Sequence, residues 1–416
     1  MGRMSRLFLF GLSALLHLYL GLRLGPHLPA GHAAFGVVLA ASAALMPLGL
    51  LATRWRSRRF ADAMAWAGLL AMGLFSSVFV LTLARDVLLL AAWPLDGWAP
   101  AWVSGSAVGV LVLGVLVTAA GFLNARRTAA VVRVDVPIAG LPAALDGFTI
   151  AQITDIHVGP TIKARYVQAI VDRVNGLSPD MVAVTGDLVD GTVPELRDHV
   201  APLGRLVSRH GTYVVTGNHE YYAGAHAWID ELRRLQLNVL MNEHVVLRHG
   251  GGELVVAGVA DWSAHHFDPT HRSDPVRAMA GAPPDAGARV LLAHQPRTAA
   301  LAVDAGYDLQ LSGHTHGGQF FPWNFFVPLQ QPFTAGLHKL KDLWVYTSRG
   351  TGYWGPPKRF GAPSEITCLR LGAAQAPSLT PLPTRWRGAA APPPRPGRMR
   401  RATAARRCRA WPAGGG

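Results

Sequence analysis

Four apolar stretches occupy the first 123 residues of the chain. They cover residues 7–22, 33–52, 63–84 and 102–123. At about 1.5 Å of helical rise per residue, the last three can cross a hydrocarbon core about 30 Å thick, whereas the first is short unless it continues past Arg23. A polar stripe at helical spacing is missing from all four, which argues against a buried bundle in a soluble protein. The pattern predicts four transmembrane helices within residues 1–127.

The charges around the apolar stretches predict the orientation of these helices. Arginines precede the first stretch, separate the second from the third and follow the fourth: Arg3, Arg6, Arg54, Arg56, Arg58, Arg59, Arg126 and Arg127. The other two connections carry Arg23 alone and Arg85 offset by Asp86 and Asp96. Because positive charge stays on the cytoplasmic side, we predict a multi-pass protein of the inner or plasma membrane with both termini in the cytoplasm.

Two further features of this region bear on its topology. Trp93, Trp98 and Trp102 would form an aromatic belt at the opposite membrane face. The first stretch is short and follows two arginines, so it also fits a signal peptide. The three stretches after it favour a membrane span instead.

From residue 131 the pattern changes to short β-rich runs that alternate with amphipathic helical segments. Nine strands are predicted, at residues 131–136, 149–153, 181–184, 213–216, 254–259, 290–293, 309–311, 344–346 and 366–371. Three helices are predicted, at residues 164–177, 194–209 and 225–235. This alternation predicts an α/β domain, which we assign to residues 128–372.

The remaining segment, residues 373–416, is basic and of low complexity. It holds nine arginines, a Pro-Pro-Pro run and a terminal Gly-Gly-Gly, and it contains no acidic residue. Of the chain's net charge of +14, only +5 is therefore left for everything before it. We predict a disordered, solvated tail, with anionic lipid or RNA contact as the alternative. No specific nucleic-acid partner is expected of the folded part.

Metal-binding residue types follow five of the predicted strands. The segments are Asp155-Ile156-His157, Gly186-Asp187-Leu188-Val189-Asp190, Gly217-Asn218-His219-Glu220, the single His294, and Gly313-His314-Thr315-His316-Gly317-Gly318-Gln319. Ligand sites of open α/β sheets lie beyond the carboxyl ends of the strands, so the five groups are predicted to converge. Each fragment alone is a weak signal, but five in this order are hard to explain as structural residues.

The residue types in these segments suit divalent metal ions. With only Cys368 and Cys408 available, a Cys-rich zinc site is excluded. Carboxylate, imidazole and amide ligands favour Mn, Fe, Zn or Mg. Two ions about 3.5–4 Å apart need a bridging ligand, and the carboxylate of Asp187 is the natural candidate.

Residues 131–371 resemble the calcineurin-like metallophosphoesterase superfamily, because all five of its motifs occur here in order. The Gly-His-Thr-His-Gly-Gly-Gln form, with Ser348-Arg349-Gly350 and Arg359, is similar to the bacterial membrane-associated phosphodiesterase subgroup. The resemblance implies a four-layer α/β/β/α sandwich and two metal ions. One ion would be held by Asp155, His157, Asp187 and His316, and the other by Asp187, Asn218, His294 and His314. His219 would lie near the leaving group, with Asp190 and Glu220 in supporting roles.

These features predict a membrane-anchored, metal-dependent phosphoester hydrolase. A hydroxide bridging the two ions would attack phosphorus, with Asp187 and His219 as catalytic residues. The substrate is open between a phosphodiester, a phosphomonoester and a lipid-linked pyrophosphate. The alternatives are a catalytically silent membrane sensor or scaffold, and a nuclease of the same superfamily.

Two details near the motifs leave a choice open. Residues 320–326, Phe-Phe-Pro-Trp-Asn-Phe-Phe, directly follow the last motif. This run either touches the bilayer or a lipid-linked substrate, or it folds onto its own core. Arg349 similarly either contacts phosphate or forms a surface ion pair.

Overall fold

A computed structural model describes residues 3–28, 31–52, 55, 57–92 and 99–374. The predicted disordered tail from residue 375 onwards lies outside the described residues, as does Cys408. The predictions for Arg54, Arg56, Trp93, Asp96 and Trp98 also fall outside them. They stay predictions.

The N-terminal region consists of long apolar helices. They are α1 (Arg3–Leu24), α2 (His32–Leu50), α3 (Arg58–Ala92) and α4 (Pro100–Arg126). By length and composition, all four could cross a membrane. The first is longer than its apolar stretch suggested, with 22 residues. Leu20 and Leu24 of α1 form one core with Val78 of α3 and Val110 of α4, so the first helix packs within the bundle.

Glycines allow α2 and α3 to approach each other closely. A Cβ atom built on Gly68 would lie 2.5 Å from the carbonyl oxygen of Leu45 and 2.6 Å from the Cα of Gly49. Side chains of any size are therefore excluded from this crossing. Small residues are the usual way in which membrane helices gain van der Waals contact, because hydrocarbon surroundings provide no hydrophobic drive between helices.

We expect Gly68→Ala to destabilise the helical region by about 1–3 kcal/mol, because the added methyl group would have to separate two backbones. The measurement is the melting temperature of the full chain in detergent. Gly109→Ala is the matched control, since a Cβ atom there meets nothing within 4 Å. Equal melting temperatures for the two variants would contradict the close crossing.

The strands of the α/β domain form two six-stranded sheets among the described residues. Their bounds are β1 Ala130–Ile138, β2 Thr149–Ile153, β3 Met181–Val184, β4 Thr212–Val214, β5 Asn238–Val239, β6 Glu243–His249, β7 Gly252–Gly258, β8 Ala288–Leu292, β9 Leu309–Ser312, β10 Gly336–Leu340, β11 Leu343–Thr347 and β12 Glu365–Ala373. The first sheet has the order β1-β12-β2-β3-β4-β5 and the second β10-β11-β9-β8-β7-β6. Strands β2 to β5 run parallel, as do β7, β8, β9 and β11.

Helices cover the outer face of each sheet. They are α5 (Ala164–Asn175), α6 (Val193–Val200), α7 (Asn218–Ala223), α8 (Ala225–Arg234), α9 (Pro275–Met279) and α10 (Ala299–Ala302). Val171, Leu196 and Trp228 of the helices α5, α6 and α8 pack on the first sheet. Ala278 and Ala302 of α9 and α10 belong to the core on the second sheet. A third core lies between the sheets, which confirms the four-layer α/β/β/α architecture.

The structure differs from the predicted elements in several places, and it adds the short helices α7, α9 and α10. The pattern missed β5, β6 and β10, which lie at sheet edges and bury few of their residues. The helix predicted over residues 194–209 ends as an α-helix at Val200 and continues as a short 3₁₀ segment to Arg205. Pro202 explains the break, because proline lacks the N–H that continues an α-helix. Strand β12 also extends through Ala373, one residue past the predicted domain end.

Candidate metal centre

Loops from both sheets meet at one edge of the sandwich. The predicted ligands follow five strands: Asp155 and His157 after β2, Asp187 after β3, Asn218 after β4, His294 after β8, and His314 and His316 after β9. Because the strands in each sheet that carry them run parallel, their carboxyl ends lie at the same edge. The structure brings all seven side chains together there.

One group of ligand atoms consists of Asp155, His157 and His316. Their oxygen and nitrogen atoms lie within 4.8 Å of one another, and all three residues are buried. The Nε2 atoms of His157 and His316 are 3.0 Å apart, and the Nε2 of His316 is 3.4 Å from Oδ1 of Asp155. Three donor atoms therefore point at a common position.

A second group consists of Asp187, His294 and His314, with Asn218 beside them. Nε2 of His294 lies 3.1 Å from Oδ2 of Asp187, 3.2 Å from Oδ1 of Asn218 and 3.2 Å from Nδ1 of His314. The same Asp187 oxygen is 3.9 Å from Nε2 of His157. Asp187 thus lies between the two groups, as a shared ligand must.

The backbone at these positions adopts a conformation that non-glycine residues rarely use. Five of the ligands have positive φ: 53° at Asp155, 56° at His157, 53° at Asp187, 70° at His314 and 51° at His316. Such residues typically cost about 1–3 kcal/mol each and cluster at functional sites. Their concentration at one edge marks it as a site that the surrounding fold holds against local strain.

Two glycines next to the ligands are required for space. A Cβ atom on Gly217 would lie 2.2 Å from Oδ1 of Asp187, and one on Gly313 would lie 2.2 Å from Oδ2 of Asp155. At both positions one loop passes close to a carboxylate that another loop carries.

Glu220 connects two of the ligand loops. Its buried carboxylate accepts hydrogen bonds from the backbone N–H groups of Gly217 at 2.6 Å, Leu188 at 2.7 Å and Asp187 at 3.0 Å. Burial, followed by the nearby Asp187, raises the pKa of Glu220 to about 6. Its contacts are to backbone rather than to the ligand atoms, as the resemblance implied.

His219 lies in front of both groups of predicted ligands and lines a cavity there. Its Nδ1 is 2.6 Å from Oδ1 of Asp190, which also lies 3.0 Å from Nδ1 of His157. Its Nε2 is 3.9 Å from Oδ2 of Asp187. By distance alone His219 could join His157 and Asp187 around an ion. Although burial favours the neutral ring, the hydrogen bond to Asp190 helps to raise the pKa of His219 to about 9.

Arg359 is a supporting residue whose role the motifs did not reveal. The side chain is fully buried. Its Nη1 donates to the carbonyl oxygens of His316 at 2.9 Å and Arg349 at 2.6 Å, and its Nε donates to that of Gly352 at 3.0 Å. Its Nη2 lies 3.0 Å from Nδ1 of His316. The sequence offered no signal for these contacts beyond the place of Arg359 in the subgroup resemblance.

The structure shows the surroundings of the two details left open beside the motifs. Arg349 pairs with the buried Glu365, its Nη1 lying 3.0 Å from Oε2. The aromatic loop, defined as residues 320–331, buries Phe320 but leaves Phe325 and Leu329 exposed by 65% and 80%. Most of this loop therefore does not fold onto its own core.

Burial and neighbouring charges shift the pKa values of the groups at this edge. Burial lowers the pKa of His314 to about 3 and that of His316 well below its ordinary value, so both rings are neutral as metal binding requires. Burial opposes ionisation of Asp187, yet the adjacent His294 holds its pKa well below the usual range. Burial likewise opposes protonation of His294, but Asp187 raises its pKa well above the usual range. Metal binding at His294 would therefore release a proton.

The donor set fits divalent cations. Imidazole nitrogens about 3 Å apart and buried carboxylates that face them are arranged for shared coordination rather than for packing. A separate group, His226, Asp268 and His271, lies at the surface outside this edge. The sequence had not suggested it.

Comparisons with known proteins agree with this arrangement. The model of the calcineurin-like phosphoesterase family matches residues 148–318. The chain is 42% identical over 299 residues to the transmembrane protein with metallophosphoesterase domain of Bos taurus, covering 66% of the chain and 67% of that relative. It is 38% identical over 266 residues to an uncharacterized metallophosphoesterase of Campylobacter jejuni, covering 64% and 69%.

The chain also matches a solved structure, the NAD nucleotidase of Haemophilus influenzae. The TM-score is 0.37 at 15% identity, over 49% of this chain and 45% of that chain. The family assignment rests instead on the matched domain, the two relatives and the ligand groups of the five motifs. The chain belongs to the calcineurin-like metallophosphoesterase family, whose members are metal-dependent phosphoester hydrolases.

Proposed function

We propose that this protein is a membrane-anchored phosphoester hydrolase that uses two divalent metal ions. The observation that carries the proposal is the convergence of seven ligand side chains from both sheets, with Asp187 between the two groups. The metals are Mn, Fe, Zn or Mg, as the mixture of carboxylate, imidazole and amide favours.

The two groups suggest how the ligands divide between the ions. Asp155, His157, Asp187 and His316 would hold one ion, and Asp187, Asn218, His294 and His314 would hold the other. The three-residue groups around Asp155 and around His294 support this division. The contact between Asn218 and His294 supports the inclusion of the amide.

The remaining side chains position and protonate the substrate. When bound, the cations would supply an activated water and neutralise phosphate charge. His219 faces the cavity beside Asp187 and is oriented by Asp190. From there its Nε2 can orient a phosphate oxygen or give a proton to the leaving oxygen. Glu220 and Arg359 hold the loops that carry the ligands.

The proposed location is the cytoplasmic face of the inner or plasma membrane. Arginines support this side, since α3 begins with Arg58 and Arg59, and α4 ends with Arg126, which Arg127 follows. Membrane association itself follows from four apolar helices and from the relative named as a transmembrane protein. The substrate would be a phosphodiester, a phosphomonoester or a lipid-linked pyrophosphate.

The test of this function is metal analysis of the full-length protein in detergent, followed by assays on phosphodiesters, phosphomonoesters and lipid-linked pyrophosphates. We expect about two divalent ions per chain and hydrolysis in at least one class. A protein that binds no Mn, Fe, Zn or Mg and hydrolyses nothing would be a silent sensor or scaffold. Salt-sensitive binding of DNA or RNA would instead support a nuclease.

We expect His219→Asn to lower kcat on an aryl phosphodiester by about 10²–10⁴-fold, the usual range for a lost general acid. Its metal content should stay at the level of the unchanged protein, because His219 is not among the proposed ligands. His266→Asn is the control, since His266 is exposed and lies outside the site. Undiminished activity would disprove the role of His219, and a loss of metal would make it a ligand.

A further inference from the structure

A single cavity connects the metal centre with the transmembrane helices. Its volume is about 820 Å³, within the range of cavities that hold small-molecule ligands. His219 and His314 line it at the catalytic end, while Met46 of α2 and Met72 and Phe75 of α3 line it at the other. The space in front of the ligands therefore continues between the helices that are apolar enough to cross the bilayer.

The aromatic loop forms the third wall of this cavity. Phe320, Trp323 and Val327 line the cavity, and Nε1 of Trp323 donates a hydrogen bond to the hydroxyl of Ser76 on α3 at 3.2 Å. Phe325 and Leu329 of the same loop are exposed. Contiguous exposed apolar side chains beside a membrane region are normally covered by lipid.

Direct contacts fix the catalytic domain against the helices. Nζ of Lys358 donates to the carbonyl oxygen of Gly73 on α3 at 3.1 Å, and the backbone N–H of Arg359 donates to the carbonyl oxygen of Gly121 on α4 at 2.8 Å. Lys163 pairs with Asp62 at 3.0 Å. The metal centre is thus held against the apolar helices and does not move on a free linker.

The wall of the cavity that the N-terminal helices form is apolar, and this determines which kind of molecule can lie against it. Leucine, methionine and phenylalanine side chains provide most of it, and the hydroxyl of Ser76 is already bonded to Trp323. A sugar or nucleoside placed there would lose hydrogen bonds to water without replacement, which costs several kcal/mol in general terms. A hydrocarbon chain would gain from the same surroundings.

We infer that the substrate is a phosphate ester carrying a long hydrocarbon chain, which lies between α1, α2, α3 and the aromatic loop while its phosphate reaches the metal centre. This inference rests on the proposed function and narrows its substrate class to membrane lipids. The substrate would enter from the bilayer, so the helices serve as part of the binding site as well as an anchor.

The test measures binding of three probes to the full chain in nanodiscs by calorimetry. Dodecylphosphonate has both head and chain, butylphosphonate has the head with a short chain, and dodecanol has the chain alone. Dodecylphosphonate should bind at least about 100-fold more tightly than butylphosphonate, since each buried methylene adds up to about fourfold. It should also bind more tightly than dodecanol. Equal binding of dodecanol would mean a structural lipid site, and equal binding of butylphosphonate would mean no chain site, so either result overturns the inference.

A variant separates chain binding from simple partition into the bilayer. Met72→Trp narrows the cavity and should reduce the dodecyl-to-butyl binding ratio by at least about tenfold. Leu70→Trp makes the same kind of change two residues away on α3, but Leu70 is exposed and does not line the cavity. It should leave the ratio unchanged. Met46→Trp, on α2, provides a second narrowing variant if Met72→Trp fails to fold. A ratio unaffected by the narrowing variant that folds would overturn the inference.

Hydrolysis of bis(p-nitrophenyl) phosphate by the unchanged protein distinguishes a failure of the proposed hydrolytic function from a failure of the proposed chain site. If this soluble diester is cleaved while the phosphonates show no chain dependence, the proposed function stands and the chain site fails. If chain-dependent binding is found but no phosphoester is cleaved, the chain site stands and the hydrolytic function fails.

Discussion

Asp187→Asn is expected to lower kcat/KM by at least about 10³-fold and to reduce the metal content below one ion per chain. Residues that only support a ligand typically change metal affinity or activity by about 10- to 100-fold. Asp187 lies between both ligand groups, so its loss affects both ions together. Asparagine keeps the shape and one oxygen, which can still accept the backbone N–H of His219 now bonded to Oδ1 at 2.9 Å. The loop should therefore remain folded while the charge is lost.

The measurements for Asp187→Asn are metal analysis by mass spectrometry and steady-state kinetics on an aryl phosphodiester. Asp172→Asn is the matched control, because Asp172 is exposed on α5 and its carboxylate accepts a hydrogen bond from Gln168 on the same helix. It should retain both metal and activity. Two bound ions and an unchanged rate in Asp187→Asn would rule out a shared carboxylate at this position.

The central strands were predictable because burial on both faces leaves a clear pattern. Strands β3 and β8 are nearly continuous apolar runs, as expected for parallel strands covered on both sides. The edge strand β6 is mostly exposed or half-buried, buries only Leu247 and has polar or charged residues at both ends, and β5 has only two residues. Their pairing depends on a neighbouring strand rather than on their own sequence, so local pattern could not identify them.

The candidate ligands could be predicted because they occur in short sequence motifs. The ligand motifs follow strands, and the order of strands in a parallel sheet carries them to one edge. Long-range contacts had no such signal. Arg359 reaches His316 across 43 residues, and Trp323 reaches Ser76 across 247. The direct contact of the catalytic domain with α3 and α4 was likewise outside what apolar stretches alone can predict.

This contact changes the interpretation of the N-terminal helices. The 35 residues of α3 exceed the roughly 20 that a membrane span requires. Gly73 and Ser77 lie in the middle of α3 and bind Lys358 of the catalytic domain. A helix used only as an anchor would not need such contacts. Helix α3 also contributes Met72 and Phe75 to the cavity, so the helix that would anchor the chain also lines the proposed substrate site.

Arg359→Met is expected to destabilise the catalytic domain by about 3 kcal/mol and to weaken metal binding at the Asp155 group. The buried guanidinium donates to the carbonyl oxygens of His316, Arg349 and Gly352, and each buried acceptor left unpaired costs about 1–3 kcal/mol. Methionine fills much of the volume but supplies no donor. Arg359 has no direct carboxylate partner among the described residues, so removing its buried charge is itself favourable and offsets part of this cost in stability. The net destabilisation therefore stays near the lower end of the summed costs of the three unpaired acceptors. For a domain of this size the melting temperature should fall by about 6–12 °C.

The effect on metal binding should be separable from the loss of stability. Arg359 lies against both the ring and the backbone of His316, so its loss frees one ligand of the Asp155 group and leaves His294 and His314 in place. We therefore expect metal affinity to fall by about 10- to 100-fold for one ion and little for the other. Arg370→Met is the control, because Arg370 is an exposed arginine on the nearby strand β12.

Burial lowers the pKa of Arg359 to about 10, so it remains charged near neutral pH, and Arg359→Lys tests whether charge alone suffices. If Arg359→Lys keeps both the stability and the metal content of the unchanged protein, the positive charge alone is sufficient. We expect Arg359→Lys to lose both, because one ammonium group cannot donate to three carbonyl oxygens as the planar guanidinium does.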